Sequence, residues 1–490
     1  MRTNEDVGIM NAESDVNSEM TDRQERVAID RSCRGPVLFF YGSAIFWLIV
    51  GTAFAIIASI KMHKPDFMAD SAYTTFGRVR PAHLNSVIYG WASMAGIGTA
   101  LWLMARLCRA RLRNPSLVIA SAILWNIGVI VGVIGILAGQ STSIEWLEFP
   151  TYSAIMLFIA FAFIAVWGVD MFVNRKPGHV YVSQWYLIGA LFWFPWLYST
   201  VQLLLLLRPV SGSVQAIINW WFGHNVLGLW FTPIGLATAY YLIPKVIGRP
   251  IHSYYLSVLG FWSLALFYSW VGGHHLIGGP IPVWIQSASI ISSYMMAIPV
   301  VTVAINHHMT MRHHFHVLKT SPTLRFVVFG AMSYTIASVQ GISMAVPYLN
   351  RITHFTDYTI GHAHMGMYLF FTMTMFGAIY YIVPRLIGWE WPSAKMISIH
   401  FWFTAIGSIL MFLTLTVGGV VQGIGYDNPN IPFLTVVHQE LIFKQIRSIS
   451  GMLMGTGHLA FAISFILMML KVGDKKYVPT LFKAVPQESV

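Results

Sequence analysis

The sequence predicts an all-α integral membrane protein, a bundle of twelve spanning helices. Three observations carry this prediction. Of 490 residues, 56% are hydrophobic and 10% charged, with a mean hydropathy of +0.63; a soluble chain of this length is closer to a quarter charged. The apolar residues fall into twelve runs of about twenty or more, the length that crosses a bilayer. None of these runs is a strand candidate, because lipid does not tolerate open sheet edges.

Taken in order, residues 1 to about 34 are polar and mixed in charge, with no short apolar stretch ahead of a cleavage site. They are expected to form a disordered cytoplasmic tail. The spans follow near 36–60, 83–105, 116–138, 150–173, 183–206, 213–243, 254–277, 283–306, 323–346, 360–384, 396–421 and 448–471. The membrane domain is thus 35–472, with a second cytoplasmic tail at 473–490. Connections after the even-numbered spans carry Arg106, Arg109, Arg111, Arg113, Arg175, Lys176, Lys245, Arg249, Arg312, Lys319, Arg385 and Lys395. The opposite side is poorer in basic residues and holds the acidic stretch Glu145 to Glu148. Basic loops stay in the cytoplasm, so both termini are expected there. The same loops account for the net charge of +11 without a nucleic-acid partner. Cys33 and Cys108 are far apart and the chain has no Cys-x-x-Cys-His, which excludes covalent c-type haem here and argues against a disulfide framework.

Six histidines fall at compatible depths. The stretch Asp-Tyr-Thr-Ile-Gly-His-Ala-His-Met-Gly-Met, residues 357–367, opens span ten. Residues two apart on a helix point roughly 200° apart, so His362 and His364 do not easily share one metal and can hold two different groups, one on each side of the helix. His83 opens span two at the same face as His364; two imidazoles at matching depth are what a bis-histidine haem requires. His224 lies about 16 Å, or three turns, into span six. His274 and His275 end span seven, which runs the other way. A lone histidine in a membrane helix as often only bonds a neighbouring helix. Ionisable groups there are usually functional, however, and so many at one level make coincidence a poor explanation. Neutral imidazole suits copper, iron or zinc, and three ligands from two helices leave a coordination position open for substrate.

Four segments are distinctive together: Phe-Gly-Arg-Val-Arg-Pro-Ala-His-Leu-Asn at 76–85, Trp-Trp-Phe-Gly-His-Asn at 220–225, Tyr-Ser-Trp-Val-Gly-Gly-His-His at 268–275 and Tyr-Thr-Ile-Gly-His-Ala-His at 358–364. From Phe76 to the end of span twelve the chain resembles the catalytic subunit I of haem–copper oxidases, and within them the cbb3-type cytochrome c oxidases. The resemblance implies that His83 and His364 bind a low-spin haem b and that His362 is the proximal ligand of a high-spin haem b3. It assigns His224, His274 and His275 to the copper ion CuB. It makes Tyr268 the tyrosine joined covalently to the first copper histidine, which gives an electron and a proton when the O–O bond breaks. The activity it implies is reduction of O2 to water in the bacterial cytoplasmic membrane, with protons taken from inside and proton pumping. With no haem c motif on this chain, membrane-anchored c-type cytochrome subunits are the implied electron donors. Arg80 and Arg447 fall near the haem propionates, where guanidinium pairs bidentately with carboxylate; anchoring at lipid headgroups is an equal reading for Arg447. Glu145 and Glu148 offer hard oxygen ligands for Ca²⁺.

The chain also departs from its relatives. The better-known oxidases have Pro-Glu after the span-six histidine and a tyrosine four residues on, where this chain has Asn225 and Gly228. Nitric oxide reductases are similar, use non-haem iron, and carry a glutamate at the position of Gly228; a second carboxylate expected in span nine is Gln340 here. Iron prefers a carboxylate and copper does well with histidines alone, so copper and O2 are expected. A nitric oxide reductase and a twelve-span secondary transporter are the alternatives. Candidates for a proton path are Thr232, Tyr240, Ser257, Ser263, Tyr334 and Ser338. The tyrosines come first, because a hydroxyl on a membrane helix more often bonds its own backbone. Gly260 stands where the family often has histidine, so water is expected there. The run His307-His308 and His313-His314-x-His316 is expected to be a solvated cytoplasmic loop. His400, His438 and His458 are read as structural.

Overall fold

The structure, a computed structural model, describes residues 4–473, with side chains described from Asp22 onward. Among the described residues there are twelve helical spans: α1 (Asn4–Lys61), α2 (Phe76–Cys108), α3 (Pro115–Leu137), α4 (Thr151–Val173), α5 (Val182–Leu207), α6 (Ser213–Ile247), α7 (Tyr254–Leu276), α8 (Val283–Met311), α9 (Pro322–Met344), α10 (Asp357–Ile387), α11 (Ala394–Asp427) and α12 (Phe433–Met469). Their starts follow local chemistry. Ser253, Ser321 and Ser393 cap α7, α9 and α11 by accepting the N–H of the third helical residue, and Pro115 and Pro322 open α3 and α9 where no N–H is needed. The two sequences Pro-Lys-Val-Ile-Gly and Pro-Arg-Leu-Ile-Gly end α6 and α10 alike: Gly248 and Gly388 each take φ of 70°, the left-handed stop that glycine adopts without strain.

Burial divides the spans into two sets. The apolar stretches of α2, α6 and α10 are 94%, 89% and 83% buried, whereas those of the other nine are between 33% and 50% buried. Three helices therefore form an inner core whose members touch one another, and the other nine surround them with one face toward lipid. The inner three carry His83, His224, His362 and His364.

Every one of these histidines is followed within a few residues by a π-helical turn: Ser86–Ala92, Val226–Phe231 and Met365–Thr372. His274 and His275 lie in a tight 3₁₀ turn, Gly272–Leu276, at the end of α7. Departures from regular α geometry re-aim side chains and concentrate at functional positions.

Two expectations are corrected. The N-terminal stretch is not structureless between residues 4 and 34; it is helical and continuous with the first span. Ion pairs hold its last turns: Arg109 reaches Asp22 at 2.6 Å, Lys176 reaches Glu25 at 2.6 Å, and the Trp102 indole donates to Asp30 at 3.0 Å. Residues 1–3, and all of the C-terminal tail after Gly473, lie outside the described residues. His307 and His308 are not in a loop either, because α8 continues to Met311 and buries His307 at 7% exposure. His313, His314 and His316 do lie in the connection after it.

Candidate metal centre

Where α6 meets the end of α7, His224, His274 and His275 converge. All three are buried, and one nitrogen of each lies within 4.8 Å of the other two. Hydrogen bonds fix the tautomer of His274. Ser293 donates its proton to the Ser289 carbonyl at 2.7 Å, so at 3.0 Å it can only accept from His274 Nδ1–H. The lone pair is then on Nε2, a buried atom with no partner. His224 likewise keeps Nδ1 buried and unpartnered. Trp220 stacks on His275 at 4.1 Å and 15°, which fixes that ring, and Asn350 holds the His274 carbonyl at 3.2 Å. Orphaned imidazole nitrogens at this spacing are a donor set for one transition-metal ion.

Tyr268 lies one turn and a half before this pair on α7, its ring 4.8 Å from that of His224. The room for it comes from Gly228, since a Cβ on residue 228 would sit 1.6 Å from Tyr268 Cε1. A cavity opens beside these residues, lined by His224, Tyr268, His274 and, across it, His362. Gly341 faces the His362 ring so closely that a Cβ would meet its Cε1 at 3.1 Å. His362 Nδ1 and both amide atoms of Gln340 are buried without partners.

His83 and His364 lie on the far side of α10 from His362 and within electrostatic reach of each other. Each gives Nδ1–H to a backbone carbonyl, His83 to Gly51 at 2.9 Å and His364 to Ile360 at 2.8 Å. Carbonyls only accept, so both Nε2 atoms carry lone pairs, the state an iron ligand requires. Above them Arg80 pairs with Glu145 at 2.6 Å and stands 3.8 Å from Glu148. Glu148 is buried and takes Asn85 Nδ2 at 3.0 Å, and burial pushes its carboxyl above the usual range despite that bond. Arg447 meets only the sulfur of Met62, at 3.2 Å, and joins no ion pair among the described residues, although α10 and α12 supply the buried group Asp357, Lys444 and Glu440 nearby. A half-buried guanidinium without a carboxylate fits an anionic group placed beside it.

Of the proton-path candidates, Ser257, Ser263 and Ser338 donate to their own helix backbone at 2.6–2.8 Å. The hydroxyls of Tyr240 and Tyr334 are buried and unpartnered, and Thr232 lines the cavity. His400 and His458 have the structural role expected of them: His400 meets the Tyr380 hydroxyl at 2.9 Å, and His458 sits between Thr52 and Tyr368. Three further residues, Ser293, Gly51 and Trp220, act here without having been singled out by the sequence. Ser293 and Gly51 carry no signal apart from the partner the fold brings to them, while Trp220 stands in the distinctive segment 220–225 with nothing along the chain to show what its ring packs on.

Comparison with known proteins agrees with this geometry. The family model described as Cytochrome C and Quinol oxidase polypeptide I matches residues 35–453. The chain is 32% identical over 394 residues to a cbb3-type cytochrome c oxidase subunit CcoN1 from Stutzerimonas stutzeri, covering 78% of this chain and 82% of that one. It is 28% identical over 460 residues to a nitric oxide reductase subunit of the same organism, covering 88% and 92%. Among solved structures, a heme-copper terminal oxidase dimer superposes with a TM-score of 0.70 at 16% identity, over 92% of this chain and 87% of that one; this likeness shows the fold. With three buried imidazoles gathered as for CuB at the meeting of two spans, the chain belongs to the haem–copper oxidases as a catalytic subunit I, an oxidoreductase acting on O2.

Proposed function

We propose that this chain is the catalytic subunit of a cbb3-type terminal oxidase. Copper is held by His224, His274 and His275, haem b3 by His362 and low-spin haem b by His83 and His364. The observation that carries the choice of O2 over nitric oxide is the pairing of Tyr268 with Gly228. The phenol ring fills the space that a side chain at residue 228 would need, so a metal-binding glutamate there and Tyr268 in this position exclude each other. When bound, two haems and a copper supply the electron storage that cleaves dioxygen in nearly simultaneous steps. The protein aims imidazole lone pairs by hydrogen bonds on their other nitrogens, holds a phenol beside His224, and lines the cavity with apolar side chains that limit water.

Electrons come from membrane-anchored c-type cytochrome subunits, since this chain has no haem c motif. Protons come from the cytoplasm, where the basic loops place both termini, by way of Tyr240 and Tyr334. Arg80 and Arg447 steady the haem propionates. Calcium enters this reading through one atom: Glu148 Oε1 is buried beside Glu145 and has no hydrogen-bond partner, the nearest cation being Arg80 at 3.8 Å. Metal and haem quantification of the purified complex tests the assignment, with one copper and two b-type haems expected. Iron in place of copper, with NO turnover exceeding O2 turnover, would instead make it a nitric oxide reductase. His362→Ala is expected to abolish CO binding and leave the low-spin spectrum; retained CO binding shows that His362 is not the proximal ligand.

A further inference from the structure

Asp357 is the first residue of α10, and its backbone is anchored without help from its carboxyl. Its N–H donates to Gln422 Oε1 of α11 at 2.8 Å. At the next residue the two helices touch so closely that a Cβ on Gly419 would stand 2.0 Å from the Tyr358 nitrogen. The Asp357 carboxyl pairs instead with Lys444 of α12, whose ammonium also stands 3.4 Å from Glu440, one turn earlier on α12. All three side chains are buried. Lys444 is fixed in turn, because Ser448, one turn on, bonds Ser59 and His63 of the α1 end at 2.9 Å and 3.0 Å. Taking an ion pair out of water is costly, and such a pair is weak evidence of a stabilising role, so its presence here calls for another use.

Seven residues turn an α-helix to within about 20° of two full turns. Asp357 and His364 therefore share one face of α10, about 10 Å apart along its axis, while His362 is turned about 140° away from Asp357. Accordingly, Asp357 lies within electrostatic reach of His364 and Arg447, and not of His362.

We propose that the Asp357 carboxylate is a fixed charge that lowers the reduction potential of the low-spin haem on His364, and that Lys444 sets how much of that charge the haem feels. The proposal rests on the haem-ligand reading given above. A negative charge in a low-dielectric interior favours the oxidised iron, which carries one more positive charge than the reduced iron. Burial and local polarity are levers by which a protein sets haem potential. Asp357 acts through this field alone and touches neither His83 nor His364, so it is a positioning residue for charge and not a ligand.

The test is a redox titration of the purified oxidase complex, read in the low-spin haem absorbance. At the solution potential where the wild-type haem is half reduced, Asp357→Asn is expected to raise the ratio of reduced to oxidised haem at least threefold. Asp357→Ser, equally neutral, carries the test if the first variant does not assemble. Adding Lys444→Gln to either restores the wild-type net charge, and the ratio is expected to return toward the wild-type value. The low-spin optical and EPR spectra are expected to stay unchanged, and the CO-binding haem to shift less. A ratio in the single variant that is unchanged or lower overturns the proposal. So does a double variant that stays at the single variant's ratio or departs further, or an altered low-spin spectrum, since each shows a packing role. An equal shift of the CO-binding haem overturns it as well, by showing an effect on the whole bundle. Failure of the underlying reading looks different: the wild-type complex would then have no low-spin b-type haem to titrate, or would keep it in His364→Ala.

Discussion

Tyr268 and Gly228 account for each other at the scale of single residues. A ring packed where a Cβ would stand 1.6 Å from its edge leaves no tolerance, so Gly228→Ala is expected to push Tyr268 off His224. Overpacking of this kind costs about 1–3 kcal/mol. O2 consumption should fall more than tenfold while haem content is kept; turnover at the wild-type rate would show that the phenol need not stay beside His224. Ser293 is the second such residue. It holds His274 in the tautomer that leaves Nε2 free, and losing a ligand's hydrogen-bond partner costs about 10–100-fold in metal affinity. Ser293→Ala should therefore lose copper at a correspondingly lower chelator concentration, read as copper per haem after dialysis. The cluster His224, His274 and His275 was legible in the sequence through the segments that carry the family resemblance. Ser293 was not, since a serine on a membrane helix is ordinary until its partner is known.

At the scale of elements, the helices that carry the six histidines all deviate from regular geometry, as does the end of α5 at Gln202–Leu207, which carries none. π turns follow the histidines of α2, α6 and α10, and a 3₁₀ turn holds the pair that ends α7. Spacing arguments assume 3.6 residues per turn, so they placed the residues by depth and could not foresee these local changes in direction. His458 joins its own helix, α12, to two other elements, α1 and α10. Thr52 on α1 gives its proton to the Leu48 carbonyl at 2.6 Å and so accepts from His458 Nδ1–H at 2.8 Å. His458 Nε2 then accepts from the Tyr368 hydroxyl of α10 at 2.6 Å. His458→Phe leaves that hydroxyl buried and unpaired, a loss of about 1–3 kcal/mol that should lower the thermal midpoint. Adding Tyr368→Phe should recover much of it, because removing both partners is far less costly than removing one. No recovery in the double variant would mean that the ring contacts of His458, and not its bonds, hold the three helices.

At the scale of the whole molecule, nine of the twelve spans among the described residues surround three inner ones, and the histidine cluster lies where α6 and α7 meet, near the loop 138–150. Glu148 in that loop supplies a pH test. Burial raises its carboxyl, with the bond from Asn85 opposing. For an acid raised in the folded state, stability is full below the ordinary carboxylate range and is lost as pH rises through the folded value. In enzyme treated with EGTA, the thermal midpoint should therefore decline from mildly acid to neutral pH, and Glu148→Gln should flatten that decline. Added Ca²⁺ should raise the neutral-pH midpoint of the wild type and not of the variant. An equal response in both would remove Glu148 from any calcium site.

The sequence alone determined the number of spans, their order and, through the motifs of the family resemblance, the three histidines that cluster, because hydropathy and motif spacing are properties of the chain itself. Only the tertiary structure decided which three spans are enclosed, which nitrogen of His274 is free, that Gly228 makes room for Tyr268, and that His307 is buried rather than solvated. Each of these depends on what a distant segment places within a few ångström, and spacing along one helix carries no record of that.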